Sequence, residues 1–148
     1  MKKRMLVAML VCAAALFAFA QAANADCKQP TKKKLTVGMK VVAQWKSDNW
    51  WVAKITSIKK NGNIDVTFSD GEKGRDKRPY DVIPHPNELY SSDSPPCFKN
   101  GDGVVSKWSN DSWWRATIDN INGDSASITY SDKTKGTHKL KEMVPDYR

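Results

Sequence analysis

The chain has 148 residues, 27% of them charged, with a formal net charge of +8, three cysteines and two histidines. This length holds one or two small domains. Without its first 25 residues the chain is only mildly basic, enough to favour anionic partners at low salt but not a nucleic-acid signature by itself, and two isolated histidines do not make a metal centre.

Residues 1–25 read as an export signal: Lys2-Lys3-Arg4 forms a positive head, Met5 to Ala20 is an unbroken apolar run, and Ala23-Asn24-Ala25 supplies small residues for cleavage. The run is shorter than a membrane span and ends in small residues, so the expected product begins at Asp26, is exported to the periplasm or secreted, and has no membrane span. Asp26 directly before Cys27 argues against a lipidated cysteine. Losing three basic residues and no acid lowers the net charge to +5. Cys12 leaves with the signal. Cys27 and Cys97 remain, and in an oxidising compartment they are expected to form one disulfide, contributing about 4 kcal/mol in the chain-entropy model. Free thiols or a bridge to another chain are the rivals.

Residues 26–36 form a basic arm containing Lys32-Lys33-Lys34. Two copies of one pattern follow, at 37–86 and 99–148, joined by a proline- and serine-rich linker at 87–98. All six tryptophans lie in the duplicated stretch, Val41 to Ile55 and again Val104 to Ile118. The match continues from Ile64–Asp70 to Ala126–Asp132 and from Val82-Ile83-Pro84 to Met143-Val144-Pro145.

Each copy has the period-two pattern of strands with one buried face. Val41, Ala43 and Trp45 share a phase, as do Trp51, Ala53 and Ile55, and then Ile64, Val66 and Phe68. Gln44, Lys54, Asp65 and Thr67 occupy the opposite, wet phase, and Asn61-Gly62 is a hairpin turn signal. No stretch reads as a long amphipathic helix. Four or five short strands in about fifty residues bury their inner face by closing on themselves, so the predicted fold is all-β, two tandem five-stranded SH3-like barrels.

In an antiparallel meander, the end of the first strand, the start of the second and the end of the third lie at one rim. Trp45, Trp51 and Phe68 occupy these places on the inward phase, with Asp70 beside them. The second copy repeats the set as Trp108, Trp114, Tyr130 and Asp132. Aromatic faces attract cations, and a carboxylate at the edge completes a pocket for an ammonium or guanidinium group. The same aromatics also suit a lid that keeps water from the core. Trp50 and Trp113 fall on the outward phase, where they line either a contact between the barrels or a peptide or sugar platform.

The unit Val-Gly-x-x-Val-x-Ala-x-Trp, a polar loop, an aromatic with x-Ala-x-Ile, and Val-x-Phe-x-Asp-Gly resembles Tudor and agenet domains. That resemblance implies a five-stranded barrel without catalysis and a cage for methylated lysine or arginine. By position the cage would be Trp45, Trp51 and Phe68, and then Trp108, Trp114 and Tyr130. The further aromatic common after the third cage strand is replaced by Asp70-Gly71 and Asp132-Lys133.

No nucleophile motif, phosphate loop or cofactor signature is present, so an enzyme is not expected. His85 lies between prolines and His138 on a polar strand. Lys73, Arg75, Lys77 and Arg78 read as a charged edge strand. The leading expectation is a non-enzymatic exported adaptor that binds a protein, peptide or other ligand with a cationic group, such as a methylated lysine or arginine, at one or both aromatic rims. The alternatives are a cell-wall module stacking tryptophans on glycan or stem peptide, and nucleic-acid binding by basic runs with stacked aromatics.

Overall fold

The computed structural model describes residues 32–91 and 96–148. The signal segment and Cys27 lie outside them, and so does the predicted Cys27–Cys97 pairing. Five strands form each half: β1 (Lys40–Lys46), β2 (Asn49–Ile58), β3 (Ile64–Phe68), β4 (Lys73–Lys77) and β5 (Val82–Pro84), then β6 (Gly103–Ser109), β7 (Ser112–Asn122), β8 (Ser125–Tyr130), β9 (Lys135–Lys139) and β10 (Met143–Pro145). A single helical turn, α1 (Pro86–Leu89), follows β5.

Within the first half, β1 pairs with both β2 and β5, β2 with β3, and β3 with β4, all antiparallel. The second half repeats this through β6, β7, β8, β9 and β10. The tandem five-stranded barrels expected from the period-two pattern are therefore present. Val41, Ala43, Ala53, Ile55, Ile64, Val66 and Phe68 are buried in the first barrel, and the corresponding inward residues fill the second. Full burial of each valine or isoleucine contributes about 1.5–3 kcal/mol. At the Asn61-Gly62 turn, Gly62 has φ +87° and the Asn61 side chain accepts from Asn63 N at 3.0 Å.

The far half of β2, from Ala53 to Ile58, pairs with β3 across a register shift between Ile55 and Ser57. Its near half would otherwise be an open edge, and β7 fills it. Asn49 pairs with Trp114, Trp50 with Trp113, and Trp51 with Ser112. Two more bonds extend the junction, Val52 N to Asp111 O at 3.0 Å and Arg115 N to Asp48 O at 3.3 Å. Each pairing maps onto its equivalent in the other copy when the halves are exchanged, so a local two-fold axis passes between Trp50 and Trp113.

Strand phase predicts wet outward faces, but beside this junction they are buried. The six strands run in the order β10-β6-β7-β2-β1-β5, and their outer faces bury Val42, Trp50, Val52 and Ile83 against Val105, Trp113 and Val144. This is a third, central core. Trp50 and Trp113 are 0% and 2% exposed. Of the two roles open to them, the structure shows the contact between barrels and excludes the solvent-facing platform. The linker contributes too: Leu89 packs on the central core, and the Tyr90 hydroxyl donates to Met143 O at 2.9 Å, tying the linker to β10.

Candidate functional site

The aromatic rims form where strand order places them. In each copy the first strand's ladder slips at its tryptophan, between Gln44 and Lys46 and again between Lys107 and Ser109. A bulge of this kind bends the strand and re-aims its side chain. The turns just beyond carry positive φ at Ser47 (33°) and Asn110 (30°), so Trp45 and Trp108 occupy equivalent places at the slip of the ladder.

In the first rim, Trp45 and Trp51 meet edge to face, with ring centroids 6.4 Å apart and planes at 69°. Both are partly buried against the first barrel's core. Phe68 is 4% exposed, so it forms the floor of this rim and not a wall. Gly74 makes room for its ring, because a Cβ there would lie 2.9 Å from both Phe68 Cε2 and Val66 Cγ2. The Lys46 ammonium stands over Trp45 at 4.1 Å from the centroid, and Lys77 approaches the Phe68 ring at 5.8 Å.

Asp70 reaches the same end, but its Oδ1 accepts from Glu72 N at 2.9 Å and builds the β3–β4 turn. The acid that touches an indole is Glu72, whose Oε2 accepts from Trp45 Nε1 at 3.2 Å. Sequence reasoning missed Glu72 because it sits in a turn with no strand phase to project. Its place two residues beyond Asp70 is the only sequence signal for it.

The second rim brings together Trp108, Tyr130 and Trp114 in a different arrangement. Trp108, half exposed, presses edge-on against Tyr130, with centroids 4.9 Å apart. Trp114 packs on the second barrel's core. The Tyr130 ring is buried, and its hydroxyl donates to Lys107 O at 3.3 Å and hydrogen-bonds His138 Nε2 at 2.8 Å. Burial raises the Tyr130 pKa and lowers that of His138, favouring the neutral form of both. Asp132 accepts from Thr134 N at 2.9 Å and from Thr134 Oγ1 at 2.6 Å, bonds that lower its pKa and commit it to the turn. No cation stands over Trp108 among the described residues.

Cys97 is half-buried just before the second barrel. No group of histidine, cysteine or carboxylate side chains among the described residues has metal-binding geometry. No described helix is long and apolar enough to cross a membrane.

No protein-family model and no curated protein matches the sequence. Among solved structures, the chain is similar to AGD34 of Arabidopsis thaliana AGDP1, with 17% identity over 74% of this chain and 81% of that one and a TM-score of 0.48. It is also similar to the tandem agenet domain 3-4 of ADCP1, with 17% identity over 74% of this chain and 79% of that one and a TM-score of 0.46.

Proposed function

We propose that the chain is a non-enzymatic, exported binding protein whose first barrel receives a cationic side chain of a peptide partner, a methylated lysine or arginine above all. The supporting observation is the Lys46 ammonium 4.1 Å over the Trp45 ring while Glu72 holds that ring's Nε1. The rim thus already attracts a cation, and the one it holds is exposed and easily displaced. A cation on an indole face contributes about 0.5–2 kcal/mol, increasing as the site loses water. Methylation weakens hydration of an ammonium, so a methylated group gives up less water on moving to the ring. The second rim suits this role less well, because Trp108 and Tyr130 occupy each other's approach.

The test is a fluorescence titration of the full chain with a peptide carrying trimethyl-lysine, its unmodified form, and a muropeptide. Saturable tryptophan quenching by the methylated peptide is expected, lost in Trp45→Ala and kept in Trp108→Ala, with thermal unfolding showing both variants folded. An undiminished response in Trp45→Ala overturns the reading. A response to the muropeptide alone transfers it to cell-wall recognition.

A further inference from the structure

The local two-fold axis between the halves creates two equivalent positions beside the central core, and the two have diverged. On one side the chain fills the space with its own groups. Arg115 lies between Asp48 and Asp146, with Nη1 3.1 Å from Asp48 Oδ1 and Nε 2.7 Å from Asp146 Oδ2. Arg148 covers the Trp50 ring at 5.4 Å and approaches Asp146 at 3.6 Å. That side is closed.

Exchanging the halves puts Val52 in place of Arg115, Asp111 in place of Asp48, and His85 in place of Asp146. The last equivalence is structural as well as sequential, since His85 N donates to Lys40 O and Asp146 N to Gly103 O, both at 3.1 Å. With valine where the guanidinium would be, this side remains a groove of about 400 Å³. Three lysines line it from separate elements: Lys40 on β1, Lys107 on β6, and Lys141 on the turn before β10. Their counterparts on the closed side are Gly103, Gln44 and Tyr80. None of the three makes an ion pair or side-chain hydrogen bond among the described residues. Asp111 and Glu142 also line the groove, leaving one net positive charge.

His85 reports the local field. Its ring packs edge-on to Trp113 at 5.7 Å, and its Nδ1 accepts from Asn87 N at 3.3 Å, which leaves the proton of the neutral ring on Nε2. Burial, followed by the charge of Lys40, pushes its pKa down to about 4. A neutral donor, two amides (Asn87 and Asn110) and three unpaired ammonium groups together suit a compact oxyanion, with the lysines acting as point charges.

We infer that the groove between the barrels is a binding site for an anionic group, phosphate or carboxylate, held by Lys40, Lys107 and Lys141 where the equivalent site is closed by Arg115. It involves the Trp113 face of the central sheet, opposite the phase of Trp51 and Trp114, and is separate from the aromatic rims.

The experiment titrates the isotope-labelled full chain with inorganic phosphate in one arm and citrate in the other, observing backbone amides and indole N–H signals by NMR. Expected are saturable shifts at Asn87, Asn110 and the Trp113 indole with little change at Trp50. Affinity should weaken at least ten-fold in a Lys107→Ala/Lys141→Ala variant and stay unchanged in Lys99→Ala, an exposed lysine outside the groove. Saturation by one anion alone identifies which oxyanion the site takes. No saturation by either, or equal weakening in Lys99→Ala, overturns the inference in favour of diffuse surface charge.

Discussion

Trp50 and Trp113 are register partners across β2 and β7, and their indoles are the largest fully buried side chains in the described structure. The two barrels are therefore joined by a shared ladder and a shared core, and are expected to unfold as one unit.

Truncation at this junction should be costly. Trp50→Ala or Trp113→Ala is expected to destabilise the whole chain by about 3–5 kcal/mol, the usual loss for a buried large aromatic. Neither Nε1 has a hydrogen-bond partner among the described residues, so Trp113→Phe should cost much less, since it also removes an unsatisfied donor. Chemical denaturation with probes in both barrels checks this; two separated transitions in the native chain would contradict the joint unit.

The β8–β9 turn contains a correctable strain. Lys133 has φ +75°, where its counterpart Gly71 has φ +91°. A non-glycine residue there costs about 1–2 kcal/mol, partly offset because glycine loses more backbone freedom on folding. Lys133→Gly is expected to stabilise by about 0.5–1 kcal/mol, read as a rise in melting temperature.

Gly74 determines the depth of the first rim. Gly74→Ala would bring its Cβ to 2.9 Å from Phe68 and Val66, displacing the rim's floor at a cost of about 1–3 kcal/mol. Binding of the methylated peptide should weaken together with stability. A variant with unchanged melting and affinity would show that the floor yields freely.

His85 links stability to pH. Its imidazole titrates near 6.5 in the unfolded chain and at about 4 in the folded one, because burial and then Lys40 disfavour the charged form. Burial lowers the His138 pKa as well. As pH falls below about 6.5 the unfolded chain takes up protons that the folded chain refuses, so stability declines. The His85 contribution, at most about 1.4 kcal/mol per pH unit, levels off below about 4. His85→Gln should flatten this decline in unfolding free energies measured from pH 7 to 4.

Strand phase is a local property, and what depends on it was legible in the sequence. The alternation of Ile64, Val66 and Phe68 and the duplicated Trp-Trp spacing locate both barrels and bring Trp45, Trp51 and Phe68 to one end. Two things escaped it. The β2–β7 pairing is made by backbone groups, which every residue carries, so no side-chain pattern announces it. Its one trace is the apolar outward residue repeated in both copies, Val42 with Val105 and Trp50 with Trp113. The turns escaped as well, since Asp70 and Asp132 share a phase with the rim aromatics but serve the backbone two residues on.

The two-fold junction also bears on how the halves could diverge. In a complex of two identical chains, a residue beside the axis is necessarily present on both sides, so an arginine that closes one side closes the other. Joining the copies in one polypeptide removes that constraint. Arg115 can then seal its side while Val52 leaves the opposite side open, and a duplicated scaffold acquires an asymmetry that its symmetric form could not hold.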